Sequence, residues 1–246
     1  MSRFSYLIFL CLLALVHGNF PDDPKPCKYG DTKCIVSIIN RLIIEKSETG
    51  DSDINIVKFE PFPVDKLSIR KGANSPININ LELTNNYIYG LSTTRIKSVR
   101  GFGKDLTKKH ELRMFSPILS MVGPYSINGK VLILPITGKG ESNFTYANTE
   151  TRMSFKGQII ERDGEIYMKL VDFVANSVPE RVYFNFTNLF NGDKALGDNM
   201  NAFLNENWEP IYLEARPEIK AGLQKRFQDI IENVFSKIPY DKLFVE

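Results

Sequence analysis

The spacing of apolar side chains changes from a helical period to a period of two and then back again. Between Asp31 and about Lys46 apolar residues recur every three or four positions, which predicts a one-faced helix capped by Asp31 or Thr32. From Pro76 to Leu83 apolar and polar residues alternate, which predicts a strand with one buried face. The runs that predict seven or eight strands in all cover residues 76–83, 90–99, 111–115, 126–136, 152–160, 165–174 and 180–186.

Short turn-forming sequences separate several of these predicted strands. They are Asn128-Gly129, the Gly-Lys-Gly segment at 138–140 and Asp163-Gly164, and such turns join antiparallel neighbours. No helical period interrupts the strand region, so we expect one antiparallel sheet in which consecutive strands lie side by side.

A helical period returns near the C-terminus. Gly192-Asp193 predicts the start of this helix and Pro239 its end. Roughly 40 residues at about 1.5 Å each would span some 60 Å, which is longer than a compact domain of this size is wide. We therefore expect the helix to bend or divide. The residues expected to cause this are Pro210, Pro217 and Gly222.

A long apolar helix and one extended sheet bury their surfaces most simply when the sheet curls around the helix. The predicted fold is therefore α+β and elongated, with a highly curved antiparallel sheet wrapped around the long C-terminal helix. Large side chains pack poorly around such a rod, so we expect gaps to run along its axis.

The N-terminus has the pattern of a secretory signal peptide. Arg3 precedes eleven apolar residues that end at Val16, too few for the roughly 20 that a membrane-spanning helix requires. We expect cleavage after Gly18, which divides the chain into a signal peptide at 1–18 and a single secreted domain at 19–246. No later apolar run reaches spanning length, so we expect no membrane span.

If the chain is secreted, its cysteines can form a disulfide and its two sequons can be glycosylated. Cys11 leaves with the signal peptide, and the default expectation for Cys27 and Cys34 in an oxidising compartment is one disulfide. Asn143 and Asn185 each begin an Asn-Phe-Thr glycosylation sequon, and a glycosylated Asn must face solvent. This requirement fixes which neighbouring side chains point inward.

The composition gives little support for catalysis or nucleic-acid binding. Loss of Arg3 with the signal peptide leaves 30 basic residues against 29 acidic ones, a net charge too small to attract nucleic acid or an anionic membrane. His110 is the only histidine of the mature chain and lies among charged residues, which predicts a solvated turn or strand edge. Nucleophile-elbow, phosphate-loop and zinc-protease motifs are absent. We therefore expect no catalytic residue, no cofactor and no metal site.

Large apolar side chains are abundant, with 17 Phe, 10 Tyr and 6 Met. They suit a packed core, and the same residue types line adaptable tunnels for apolar ligands. If Asn143 and Asn185 face solvent, their neighbours Phe144 and Phe184 point inward. The candidate ligand-binding residues are Tyr125, Ile127, Val131, Ile133, Phe144, Phe155, Met168, Phe184, Phe186, Met200, Phe203, Trp208 and Ile211.

Four segments carry recognisable motifs. They are the Cys-x6-Cys spacing at 27–34, Gly-Pro-Tyr-x-Ile-Asn-Gly-Lys-Val at the start of 123–140, Asn-Leu-Phe-Asn-Gly-Asp-Lys-Ala-Leu-Gly-Asp-Asn-Met-Asn at the start of 188–208, and Lys-Ile-Pro-Tyr-Asp-Lys-Leu-Phe at 237–244. Together they resemble the takeout and juvenile hormone binding protein family of insects. The resemblance implies a TULIP-like lipid-binding fold, whose hydrophobic tunnel carries terpenoid hormones or long acyl chains. Moth hormone carriers of this family have a second disulfide, which this chain lacks the cysteines to form, so it is more similar to the takeout branch.

The function predicted from these features is a secreted extracellular carrier that binds a small elongated hydrophobic ligand, such as a terpenoid hormone or fatty acid, in an internal tunnel. We expect it to be a monomer. The alternative is an extracellular signalling or interaction protein, for circadian, feeding or chemosensory output, with a filled tunnel and a receptor-facing surface. A continuous cavity would favour the carrier, and a solid core would favour the alternative.

Overall fold

The computed structural model describes Phe20, residues 23–72, Ser75 and residues 77–246. The predicted signal peptide, its cleavage site and Cys11 lie outside the described residues. The helices are α1 Thr32–Lys46, α2 Lys194–Glu206 and α3 Trp208–Lys237. The strands are β1 Cys27–Lys28, β2 Phe62–Arg70, β3 Ile77–Tyr89, β4 Arg95–Arg100, β5 Lys109–Val131, β6 Leu134–Arg162, β7 Glu165–Val178, β8 Arg181–Phe186 and β9 Phe244–Val245.

The helix α1 begins where its sequence predicts. The carboxylate of Asp31 accepts a hydrogen bond from the backbone N–H of Cys34 at 3.1 Å and so caps the first turn. Cys27 and Cys34 form the predicted disulfide. Next to it, β1 pairs in parallel with β9, with Cys27 opposite Phe244. The N-terminal loop and the C-terminal residues therefore lie together at one place in the fold.

Seven strands form one antiparallel sheet with the order β2-β3-β5-β6-β7, while β4 pairs with β5 and β8 pairs with β6. The expectation that consecutive strands lie side by side is wrong for β3 and β4 and also for β7 and β8. The strand β5 has 23 residues, so it pairs with β4 along its first part and with β3 along its last. The 29 residues of β6 would extend on the order of 95 Å if straight, and the sheet instead curls.

Asp163 and Gly164 form the predicted turn between β6 and β7. Their φ angles are 54° and 77°, and Arg162 and Glu165 on either side are the last paired residues of the two strands. A two-residue turn with both central residues at positive φ matches the twist of the flanking strands.

The other two predicted turns are wrong, because their glycines lie inside strands. Asn128-Gly129 belongs to β5 and the segment 138–140 belongs to β6, and the turn between these strands is instead formed by residues 132–133. Gly129 has φ 143° and approaches β3 so closely that a Cβ would collide with the backbone carbonyl of Asn78. These glycines therefore serve close strand packing and not a change of direction.

The C-terminal helical region is divided, but not at a proline. Asp193 caps α2 by accepting a hydrogen bond from the N–H of Leu196 at 3.0 Å, as predicted. The division falls at Asn207, whereas Pro217 lies inside the 30-residue helix α3. Pro210 occupies the first turn of α3, where a backbone N–H would have no helical partner. No helix among the described residues is long and apolar enough to cross a membrane.

Two asparagines of α2 bind the outer edge of β8. The side chain of Asn201 accepts a hydrogen bond from the N–H of Phe186 and donates one to its C=O, both at 2.9 Å. Asn205 makes the same pair of bonds with Phe184, at 2.9 Å and 2.8 Å. Two side-chain amides thus take the place of a neighbouring strand, and they satisfy an edge that would otherwise be open. We call these four bonds the asparagine clamp.

The buried residues form two clusters along the molecule. The first lies between the β2, β3 and β5 part of the sheet and the start of α3, and the second surrounds Phe155 and Met168 beneath α1. Phe227 of α3 packs against both clusters. The helix α3 thus runs along the inside of the curled sheet, as the sequence predicts, and the internal spaces lie beside it.

Candidate functional site

The described residues line two cavities between the sheet and α3, and the larger of these two has a volume of about 140 Å³. Its helix wall runs along α3 from Tyr212 to Phe227. Met114, Met121 and Met153 give the sheet wall flexible apolar surface, which adapts to the shape of a ligand. An engineered cavity of about 150 Å³ in another protein binds benzene, so this cavity has room for roughly six carbon atoms.

A row of hydroxyl groups crosses the sheet wall of the larger cavity. The Oγ1 of Thr94 and the Oγ of Ser116 lie 2.8 Å apart, and the Oγ1 of Thr151 and the Oγ of Ser177 lie 2.9 Å apart. Thr149 stands between these pairs, because it is opposite Ser116 in the β5–β6 register and two residues before Thr151 on β6. We call these five side chains the hydroxyl row.

Two polar atoms in this cavity lack a protein partner. The side chain of Thr149 is buried, and its Oγ1 has no hydrogen-bond partner within the described part of the chain. The same holds for the Oε1 of Gln224, which reaches the cavity from α3. An unpaired buried polar atom costs about 1–3 kcal/mol, so a ligand group that pairs with it recovers part of that cost.

The charged side chains that line the larger cavity are both cationic. Arg216 and Lys220 stand one turn apart on α3, and none of the described Asp or Glu residues lines this cavity. The ammonium of Lys220 donates one hydrogen bond, to the Oδ1 of Asn176 at 2.8 Å. The cavity therefore combines apolar walls with a positive charge and a row of hydroxyl groups.

The smaller cavity has a volume of about 50 Å³ and walls that are almost wholly apolar. Four residues line both cavities, namely Met121, Tyr146, Tyr212 and Ile219. We call them the junction. The rings of Tyr146 and Tyr212 meet edge to face with centroids 6.3 Å apart, and the hydroxyl of Tyr212 donates to the C=O of Ser177 at 3.1 Å.

Burial raises the pKa of the phenols in and near the cavities. Loss of hydration raises the pKa of Tyr146 well above its ordinary value of 10.0, and the neighbouring Tyr212 adds to the shift. Burial also raises the pKa of Tyr212, although Arg216 opposes this. Burial raises the pKa of Tyr125 to about 12. A phenol is neutral at physiological pH even without such a shift, so these hydroxyls are hydrogen-bond donors there.

Several predicted ligand-binding residues lie at or beside the smaller cavity. Tyr125 is buried, its hydroxyl donates to the C=O of Thr187 at 2.6 Å, and its ring lies 4.6 Å from that of Phe186. Met200 is buried in the same cluster and Phe203 packs against it, although neither lines a cavity. Those that line the smaller cavity are Ile127, Val131, Phe144, Phe184, Phe186 and Ile211. Their contact with a ligand stays a prediction.

The remaining predicted residues lie elsewhere. Phe155 and Met168 are fully buried in the second cluster. The indole of Trp208 lies 5.5 Å from the guanidinium of Arg181, apart from both cavities. Ile133 is 85% exposed, so the expectation that it shares the inward face of Val131 is wrong. The turn at 132–133 interrupts the alternation on which that expectation rested.

None of the predicted ligand-binding residues lines the larger cavity, and the lining residues that the sequence reasoning missed are both apolar and polar. Thr149 and Thr151 are in phase with Met153 and Phe155 on β6, so two-residue alternation could have placed them inward. A search restricted to apolar side chains passed over them. Nothing in the sequence distinguishes Arg216 from the cations that any exposed helix face carries.

The two sequons face solvent, as predicted. Asn143 and Asn185 are exposed and lie directly opposite each other on β6 and β8. Phe144 is buried beneath them, and Phe184 also points inward. Glycosylation of either asparagine stays a prediction.

His110 is buried, which corrects its expected place on a solvated turn. Its Nδ1 accepts a hydrogen bond from the N–H of Phe102 at 3.0 Å, and its Nε2 donates to the C=O of Leu106 at 2.8 Å. Burial lowers its pKa below 6.5, although the bond to Leu106 opposes this. Both ring nitrogens therefore hold the loop before β5, and the ring lines neither cavity.

A curled antiparallel sheet around a long helix, with cavities between them, defines an elongated α+β protein. A family model described as haemolymph juvenile hormone binding protein (JHBP) matches residues 6–245. The chain belongs to this family, which confirms the predicted resemblance.

Similar proteins extend this result. Two relatives carry the name circadian clock-controlled protein daywake. The one from Drosophila melanogaster is 29% identical over 250 residues, covering 97% of this chain and 96% of the relative. The one from Drosophila yakuba is 29% identical over 231 residues, covering 92% and 88%. The crystal structure of Epiphyas postvittana takeout 1 has the same fold, with a TM-score of 0.76 at 23% identity over 87% of this chain and 96% of that one.

Proposed function

We propose that the chain is a secreted carrier that binds one small elongated hydrophobic ligand, such as a terpenoid or a fatty acid, between the sheet and α3. The observation that carries the proposal is the larger cavity, whose walls are mostly apolar and which adjoins a second, almost wholly apolar cavity at the junction. Membership of a family described by juvenile hormone binding supports it.

The volumes set a condition on how such a ligand binds. The two cavities, at about 140 and 50 Å³, are separated by the side chains of the junction. A ligand longer than about six carbon atoms must displace these side chains to occupy both spaces. Met121 and Ile219 can turn aside at low cost, since neither makes a polar contact.

Blocking the junction tests the proposal. Ile219→Trp adds a large side chain at the point where the cavities meet, and we expect uptake of a fluorescent apolar probe such as N-phenyl-1-naphthylamine to fall at least about tenfold. Leu213→Trp is the matched control, because Leu213 lies on the same helix but is 53% exposed and lines neither cavity. Its uptake should equal that of the unmodified protein.

Circular dichroism should show that both variants are folded, since an overpacked junction costs about 1–3 kcal/mol. Equal uptake by the two variants would place the probe outside the cavities. A protein recovered from its natural fluid without any bound apolar compound, and without uptake of fatty acid or terpenoid probes, would overturn the carrier proposal.

Secretion is part of the proposal and is tested in the same preparation. The full chain is expressed in insect cells, and the protein is collected from the medium. We expect an intact mass that lacks residues 1–18, and a mass retaining them or protein confined to the cells would contradict secretion.

The second candidate is an extracellular interaction protein that presents a surface to a receptor. The observation that favours it is the solid packing around Phe155 and Met168, both predicted to line a tunnel and both fully buried among side chains. The daywake relatives are named as clock-controlled proteins, which is compatible with a role in circadian output. If Ile219→Trp takes up no apolar probe but still supports the circadian, feeding or chemosensory output of the unmodified protein, this candidate is favoured over the carrier.

A further inference from the structure

The larger cavity has a positive charge that the protein does not neutralise. Arg216 lines it and makes no hydrogen bond or ion pair with another described residue, and the one recorded bond of Lys220 goes to the neutral side chain of Asn176. These cations are four residues apart on α3, so both project toward the same face of the helix.

The nearby acids of α3 are engaged elsewhere. The Oε1 of Glu218 pairs with Lys71 at 3.0 Å, while its buried Oε2 has no hydrogen-bond partner among the described residues. Glu214 accepts a hydrogen bond from Ser75 at 3.0 Å. Neither glutamate lines the larger cavity. An anion in this cavity would therefore meet two cations without competition from a carboxylate of the wall.

The facing wall offers further hydrogen-bond donors. The unpartnered hydroxyl of Thr149, which is 2% exposed, can donate to an oxygen placed in the cavity. Gln224 can present its NH2 in place of its oxygen by turning over about its terminal bond. An oxygen-rich acceptor group thus matches both walls better than a donor group does.

We propose that the larger cavity holds the head group of a long-chain monocarboxylate, with the carboxylate bound by Arg216 and its acyl chain directed through the junction into the smaller cavity. Guanidinium and carboxylate groups match in a planar, two-bond geometry. Lys220 and the hydroxyl of Thr149 are the remaining donors of the same cavity. This inference rests on the proposed carrier function and names the class of ligand.

Comparing an acid with its ester tests the inference directly. Dodecanoic acid and methyl dodecanoate have the same chain, but only the acid is ionised at about pH 7.5. In displacement of N-phenyl-1-naphthylamine from the unmodified protein, we expect the acid to bind at least about tenfold more tightly, because burial of a carboxylate is favourable only beside a cation.

Substitutions assign the preference to particular residues. Arg216→Met keeps an apolar stem but removes the charge, so acid affinity should fall about tenfold while ester affinity stays unchanged. A general loss of structure would weaken both ligands equally. Lys225→Met is the matched control, because Lys225 is a cation of the same helix that pairs with Asp229 and lines neither cavity.

The outcomes separate this inference from the carrier proposal. An ester that binds the unmodified protein as tightly as the acid would overturn the carboxylate site and leave the carrier intact. The same holds if an Arg216→Met variant that is folded by circular dichroism weakens acid and ester alike. If neither ligand nor the probe binds, the carrier proposal fails and this inference fails with it.

Discussion

Removal of Asn201 should reveal how much the asparagine clamp contributes to stability. In Asn201→Ala the N–H and C=O of Phe186 both lose their partner, and Phe186 is only 5% exposed. Each unpaired buried backbone group costs about 1–3 kcal/mol. Since water can reach part of a strand edge, we expect a total loss of about 2–4 kcal/mol in the free energy of unfolding.

Urea unfolding of the mature protein followed by circular dichroism measures this loss. With a slope of about 2–3 kcal/mol per molar urea, the midpoint should fall by roughly 1 M. Asn199→Ala is the control, because Asn199 is an exposed asparagine of the same helix, and its substitution should change stability by no more than about 0.5 kcal/mol. If Asn201→Ala is no less stable than Asn199→Ala, the clamp does not stabilise the edge of β8.

Two further predictions concern a buried histidine and a turn. The folded-state pKa of His110 lies below 6.5, so the unfolded state binds more protons as the pH falls. The contribution of the neutral ring to the free energy of unfolding should therefore be present above about pH 6.5 and be lost as the pH is lowered. His110→Asn should flatten this dependence of the urea midpoint between about pH 7.5 and 5.5, and an unchanged slope would assign it to other groups. Gly164→Ala places a side chain at φ 77° and should cost about 1 kcal/mol, whereas Gly103→Ala, with open space and no positive φ, should be neutral or slightly stabilising. Equal thermal midpoints for the two glycine variants would contradict the strain at Gly164.

Most elements of this fold could be predicted from local patterns, because their signals lie within a few residues, whereas β1, β2 and β9 were not among the predicted strands. The Asp31 cap, the Asp163-Gly164 turn and the cysteine pair all depend on contacts close in sequence. Asn128-Gly129 was wrongly predicted to form a turn, because Gly129 instead allows a close approach to β3, about 50 residues away in the sequence. Local composition does not distinguish a glycine that turns the chain from one that lets two strands approach.

The site was harder to predict than the fold. The inward phase of Phe144 and Phe184 followed from the sequons and was correct. Thr149 was missed although it is in phase with Met153 and Phe155, because a threonine among polar neighbours is typical of an exposed strand face. Whether its hydroxyl meets solvent, a partner or an empty space depends on how the sheet curls over α3. Only the assembled structure shows this.

The pairing of β1 with β9 constrains the order in which the molecule can be completed. Cys27 lies beside Phe244, so these strands join positions more than 200 residues apart in the sequence. The disulfide loop can form early, while the chain is still being synthesised, but β1 cannot pair with β9 until residues 244–245 have emerged. A chain that stops short of β9 would leave β1 unpaired and the apolar surface around it uncovered. Pairing of β1 with β9 therefore occurs only in chains that have been synthesised as far as β9. Chaperones that bind exposed apolar surface could distinguish these chains from truncated ones.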